Sequence, residues 1–187
     1  MKTTVKYGLI FGLSWIIITM ILFYADFSRE AFLPLIMVNL FLLLMAIAGG
    51  LYMTKKEKNF EPGIFADDFK TAMQGGIIYA ILISGFVYLY HWKIDTSIRD
   101  AIIQERITAL HNAVPDSDTY EELQEDDPTW QDKSYDDYIE NQEDQIKGVV
   151  SPVSIFIMHL AGLCMLTFFY AFGATFIIRK VVLKGIQ

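Results

Sequence analysis

The chain has 187 residues, 53% of them apolar and 20% charged, with 15 basic and 22 acidic side chains and a net charge of −7. The charges are gathered into blocks, and residues 7–25, 31–54, 71–92 and 148–178 contain no Asp, Glu, Lys or Arg. That segregation excludes an ordinary soluble domain, where charged and apolar residues alternate every few positions, and the apolar content excludes a disordered chain.

A helix rises about 1.5 Å per residue and bilayer hydrocarbon is about 30 Å thick, so about 20 residues suffice to cross it. Backbone facing lipid outside a helix would leave amides unpaired at several kcal/mol each. Each charge-free window is therefore predicted to be a crossing helix.

The first span, 7–25, follows Lys2 and Lys6, as a secretory signal would. Its length, and an end at Phe23-Tyr24-Ala25 without small residues two apart, point to an uncleaved span. It carries Gly8 and Gly12 on one face, with Tyr7 and Tyr24 at the interfacial level that polar-tipped aromatics favour and Trp15 deeper. After a short loop, Asp26–Glu30, the second span covers 31–54. Pro34 sits in its first turn, where a missing N–H costs little. Asn39 is its polar residue, and Ala46 and Gly50 form a small pair. In the following loop Phe60, Phe65 and Phe69 precede the third span. Phe65 and Phe69 share a helical face, which predicts an interfacial turn lying on the membrane, with docking of a partner as the alternative.

The third span, 71–92, holds Ala72, Gly76, Ala80 and Ser84, four apart along one face. In lipid, close packing of small residues replaces apolar attraction as the cause of helix association. The stripe is expected to let neighbouring helices approach, with a homo-oligomer contact as the sharper alternative.

Segment 93–147 holds 16 acidic and five basic residues. Residues 93–112 are predicted to continue the third span as a helix, with Ile94, Ile98, Ala101, Ile102, Ile107 and Leu110 on an apolar face. Pro115 and Pro128 break the segment. Asp118-Thr119-Tyr120-Glu121 and Ser134-Tyr135-Asp136-Asp137 resemble capping boxes for two further helices. The expected form is a helical hairpin with apolar stripes facing each other and acids facing water. Asp116-Ser117-Asp118 begins like a calcium loop, but the sixth position is Glu121 in place of glycine and the twelfth is Asp127 in place of glutamate. A solvated acidic surface is the plainer reading.

The fourth span is predicted to begin at Ser151-Pro152 as cap and first residue, giving 152–178. It contains the single cysteine, Cys164, so no intramolecular disulfide forms. It also contains His159. As a proton-relay group His159 would need a carboxylate such as Asp26 or Glu30; a neutral imidazole bonded to a neighbouring helix is the plainer reading. Asn39 likewise reads as a link between helices. Polar groups within spans are functional candidates by default, and the absence of charge argues against a proton-driven pump.

Four spans put both termini on one side, with Lys55, Lys56, Lys58, Lys70, Arg179, Lys180 and Lys184 beside Lys2 and Lys6. The opposite side has Arg29 and the acidic segment. The positive-inside rule places both termini in the cytoplasm. The acidic balance implies no nucleic-acid partner. The three histidines lie on separate segments, and no HExxH, GxSxG or phosphate-binding glycine loop occurs. No catalytic or metal site and no cofactor is expected.

Lys6-Tyr7-Gly8-Leu9-Ile10-Phe11-Gly12, Phe65-Ala66-Asp67-Asp68-Phe69-Lys70-Thr71-Ala72 and Ile94-Asp95, with a proline before the last span, carry a resemblance. The chain resembles a family of uncharacterised four-span membrane proteins common in Bacteroidetes, a domain of unknown function. Glycine would be expected there at Ala72. The resemblance covers nearly the whole chain and implies a bacterial inner membrane; it supplies no activity.

The sequence thus predicts an all-α, four-span bundle with an acidic extramembrane hairpin at 93–147. The expected role is non-enzymatic, a scaffold or accessory subunit embedded in lipid that meets a protein partner through that segment. A transporter or channel component using Asn39 and His159 is the alternative.

Overall fold

The computed structural model describes residues 2–27, 32–126, 130 and 133–182. Arg29, Glu30, Asp127, Pro128 and Lys184, used in the sequence reading, lie outside them. Among the described residues seven α-helices follow in order: α1 (Thr3–Tyr24), α2 (Phe32–Glu57), α3 (Phe65–Leu89), α4 (Ser97–Ala113), α5 (Ser117–Asp126), α6 (Tyr135–Val149) and α7 (Pro152–Ile177). No strand occurs among the described residues. Among the described residues four helices are long and apolar enough to cross a membrane, one for each predicted span. The chain divides into two compact units, Met1–Val87 with Phe156–Gln187, and Tyr88–Ile155.

In the first unit, α3 is the central helix. It buries Asp68, Ala72, Gly75, Gly76, Tyr79, Ala80, Ile83, Ser84 and Val87, a band wide enough to meet several neighbours. By contrast α1 buries a narrow line, Thr4, Gly8, Gly12, Trp15 and Thr19, and α7 buries Leu163, Thr167, Ala171, Ala174 and Thr175. Parallel α1 meets α3 where a Cβ on Gly8 would stand 2.5 Å from Gly75 O, and again where Trp15 packs edge-on against Phe86 at 5.9 Å. Antiparallel α2 meets α3 from Asn39–Tyr79 at one end to Lys55–Asp68 at the other. Antiparallel α7 meets it at Ser84–His159, Gly76–Thr167, Phe69–Phe168 and Phe65–Phe172. Small and hydroxyl side chains thus lie inside beside a few large ones, Leu43, Ile47, Leu51, Tyr79 and Ile83, while many large apolar side chains face out. Ile17 is 58% exposed, Met37 67% and Phe169 56%, whereas Thr167 and Ser84 are fully buried. In water, exposed apolar surface forgoes about 25 cal/mol per Å². In hydrocarbon that penalty vanishes and close backbone approach decides the packing.

Helix ends follow local chemistry. Ser151 Oγ accepts from Ser154 N at 3.2 Å and Pro152 is the first residue of α7, as its sequence predicts. At the end of α2, Asn59 (φ 49°) and Phe60 (φ 58°) turn left-handed, and Phe60 N donates to Lys55 O at 2.8 Å. Asn tolerates that region; the Phe60 ring is held by packing on Tyr52 at 5.6 Å. Phe65 and Phe69 do not form a turn separate from the third span. They are the first turns of α3 itself, and their rings pack on Phe172 and Phe168 of α7.

The second unit contains α4, α5 and α6. The third span does not run on into α4. The last turn of α3 widens into a π-helical turn, Tyr90–Ile94, and Asp95 is extended (φ −138°, ψ 102°) before α4 restarts. Asp95 forces the break, because its Oδ1 accepts from Ser97 N at 3.0 Å and Ser97 Oγ at 2.6 Å. Antiparallel α4 and α6 form the expected hairpin, joined by His111–Glu143 at 3.1 Å and by Tyr135 OH, which donates to Val114 O at 3.0 Å. Their stripes meet less fully than expected. No residue of α4 is buried, and Ala101 and Ile102 are exposed. Ile103, Ile107 and Leu110, close together at about 100° per residue, are the half-buried face. The core is aromatic: Tyr120 packs on Tyr135 and Tyr138, and Trp130 stands edge-on to Tyr138 at 4.9 Å.

The cap of α6 is the predicted box, with Ser134 Oγ accepting from Asp137 N and Asp137 Oδ2 accepting from Ser134 N. The cap of α5 is not Asp118. Asp116 Oδ1 accepts from Thr119 N at 2.9 Å and Thr119 Oγ1 at 2.8 Å, so the helix starts at Ser117. That start turns Tyr120 into the aromatic core, where it is 3% exposed.

Candidate functional site

The predicted small residues all sit at helix contacts. Gly8 faces Gly75, and Gly12 faces Leu82 and Tyr79. Gly50 lies against Thr4, and Ala46 O is the atom a Cβ on Gly75 would meet at 3.1 Å. Ala72, Gly76, Ala80 and Ser84 are all buried, and a Cβ on Gly76 would collide with the Thr167 side chain. Gly75, which closes the contact with both α1 and α2, escaped the sequence reading because it lies one position off the four-residue repeat.

Asn39 and His159 are each engaged by α3 and not by each other. Tyr79 OH donates to Asn39 Oδ1 at 2.6 Å, with Asn39 O at 3.1 Å, in a buried contact. Ser84 Oγ lies 3.3 Å from His159 Nδ1. Asp26, one carboxylate considered for His159, sits in the turn after α1, where its N donates to Phe23 O.

At the other end of the first unit is a cluster that sequence reasoning missed. Asp68 is 6% exposed and Lys55 5%. Lys55 Nζ lies 2.7 Å from Asp68 Oδ1 and donates to Glu61 O at 3.2 Å. Arg179 Nη1 lies 2.7 Å from Asp68 Oδ2 and donates to Gly63 O, also at 2.7 Å. The cluster thus ties the end of α2, the start of α3, the π-helical turn Ile178–Val182 that follows α7 and the connecting loop. The sequence signals were the positions of Lys55 and Arg179 at the edges of charge-free windows and of Asp68 within the motif that leads into the third span. Local spacing reveals no pairing between residues so far apart in the chain.

A polar cleft of about 510 Å³ opens beside this cluster, lined by Lys2, Thr3, Glu57, Lys58, Asp67 and Lys70 among others. Thr3 Oγ1 donates to the Glu57 carboxylate there. A smaller cavity of about 140 Å³ shares Thr54, Lys58, Asp67 and Thr71 with it and reaches Lys55 and Asp68.

In the second unit, burial pushes the Asp95 carboxyl up, but hydrogen bonds from Ser97 and Tyr90 outweigh it and hold the group below the usual carboxylate range. Hydrogen bonds from His111 and Lys147 hold Glu143 low. Asp116 and Asp137 are held low by the groups they cap. Asp116 is therefore occupied as a helix cap, and no group of three His, Cys, Asp or Glu placed to hold a metal occurs among the described residues.

A family model described as a protein of unknown function, DUF4199, matches residues 6–180. No curated protein matches, and no solved structure matches.

Proposed function

The chain belongs to the DUF4199 family, and on that premise we propose that it is a non-enzymatic multi-pass protein of the bacterial inner membrane, a scaffold or accessory subunit. Both termini lie in the cytoplasm, and the acidic segment 93–147 lies beyond the opposite face and meets a protein partner. The bias of basic residues toward the termini and the loop after α2 supports this orientation.

The observation that carries the scaffold reading is the use made of polar side chains within the spans. Asn39 and Tyr79, and Ser84 and His159, bond helix to helix. The buried Lys55–Asp68 pair and the part-exposed Arg179 do the same at the bundle end. Such groups fix the relative positions of helices; a transport path through Asn39 and His159 would need them turned to a passing solute. The hairpin adds an ordered acidic surface: exposed Asp136, Glu140 and Asp144 lie at four-residue spacing on α6, away from its aromatic core.

Crosslinking in native membranes, followed by identification of the attached protein, tests this. Neutralising Asp136, Glu140 and Asp144 to Asn, Gln and Asn should abolish one defined crosslink and leave the chain folded. An unchanged crosslinking pattern would refute docking through the segment, and solute flux abolished by Asn39→Leu would favour the transporter reading instead.

A further inference from the structure

The bundle end that carries Lys55, Asp68 and Arg179 is not electrically balanced. One carboxylate serves two cations, so the trio sums to one positive charge, and Lys180 stands next to it. Among the described residues, Arg179 is engaged only through Nη1, and the Lys180 ammonium meets no carboxylate. Both cations line an open groove of about 380 Å³ whose other walls are the Phe65 and Phe176 rings, 37% and 51% exposed. The Lys180 ammonium lies 5.4 Å above the Phe176 ring.

Cations alone would suit any anion, and rings alone any apolar surface. Together, at the end of two membrane-spanning helices, they suit a molecule with an anionic head and a hydrocarbon tail. We propose that this groove is a headgroup site for an anionic phospholipid of the surrounding bilayer. The lipid phosphate bonds Arg179 and Lys180, and the first methylenes of an acyl chain lie along Phe65 and Phe176. The site is partly preorganised, because Gly63 O and Asp68 already fix the guanidinium, so less freedom is lost on binding. The chain also widens into a π-helical turn at Ile178–Val182, a local irregularity common at functional positions. The inference rests on the membrane reading above.

The test is native mass spectrometry of the full chain in detergent, with added dioleoylphosphatidylglycerol, dioleoylphosphatidylcholine or inorganic phosphate. The wild type should retain the anionic lipid about fivefold or more over the zwitterionic one, the scale of one basic residue at a charged membrane surface. Lys180→Ala, at an exposed position, should remove about fivefold in retention, and Phe176→Ala should weaken retention of the same lipid. Lys58→Ala, an equal charge change outside the groove, should leave retention unchanged. Equal retention of the two lipids, equal loss in Lys180→Ala and Lys58→Ala, or displacement of the lipid by inorganic phosphate at matching concentration would overturn the proposal. Any of these would leave the membrane reading standing, since that reading is decided by labelling of the chain from the two sides of the bilayer.

Discussion

The carboxylate of Asp68 and the guanidinium of Arg179 lie 2.7 Å apart, although 111 positions separate them in the chain. With Lys55 on the other carboxylate oxygen, the contact joins α2, α3 and the π-helical turn after α7. A buried ion cluster gives little net stability over apolar residues of similar volume, but breaking it strands a buried charge. Asp68→Asn should therefore cost about 3–5 kcal/mol, read as a lower unfolding temperature in detergent. Replacing Lys55, Asp68 and Arg179 together by Met, Leu and Met should cost much less. An Asp68→Asn protein as stable as the wild type would remove the cluster from the account.

Gly76 and Gly85 lie on the same helix and meet opposite surroundings. A Cβ on Gly76 would run into Thr167 and Ile47, while one on Gly85 meets nothing within 4 Å. Gly76→Ala should destabilise the bundle by about 1–3 kcal/mol, the usual cost of overpacking. Gly85→Ala should be neutral or stabilise by up to about 1 kcal/mol through helix propensity. Equal unfolding temperatures for the two variants would mean that α3 and α7 are not packed as described.

The Tyr79–Asn39 bond lies in the protein interior, where interhelical hydrogen bonds in membranes average about 0.6 kcal/mol. Tyr79→Phe should cost roughly that, and Asn39→Leu in the Tyr79→Phe background should add less than it does alone. A double-mutant cycle measures the difference, and strict additivity would show that the two side chains do not communicate.

The Asp95 carboxyl is held low despite its burial. A carboxyl whose folded value is depressed adds stability above its unfolded value, about 3.9, and loses that contribution as pH falls through the folded value. Ser97→Ala removes the 2.6 Å donor. Its Asp95 should titrate closer to an ordinary aspartate, as followed by carboxyl ¹³C resonances in specifically labelled protein. Identical titrations in the two proteins would mean that Ser97 does not set this group.

The spans were legible because hydrocarbon tolerates no ionised side chain over about 20 residues, and a charge-free run needs no alignment to be seen. The stripe from Ala72 to Ser84 was legible for a related reason: small residues repeat at the helical period. Ser151-Pro152 and the Ser134–Asp137 box were also visible, since a cap depends on residues two or three positions away. Asp116 was missed in favour of Asp118 because both can cap, and the choice depends on where Tyr120 must point. The break at Asp95 hid behind an apolar pattern that continues through it. Lys55 and Arg179 carried only topological meaning in the sequence, and Asp68 only its place in the motif before the third span, because their pairing is created by packing of distant helices.

The central claim is that four helices cross a bilayer and leave residues 93–147 on the face opposite the termini. Impermeant maleimide labelling of single cysteines in sealed, oriented membrane vesicles, in a Cys164→Ser background, tests it most directly. Lys2→Cys, Lys58→Cys and Lys180→Cys should all react from one side, and Asp118→Cys and Asp136→Cys only from the other. Reaction of Lys58→Cys and Asp136→Cys from the same side would contradict it.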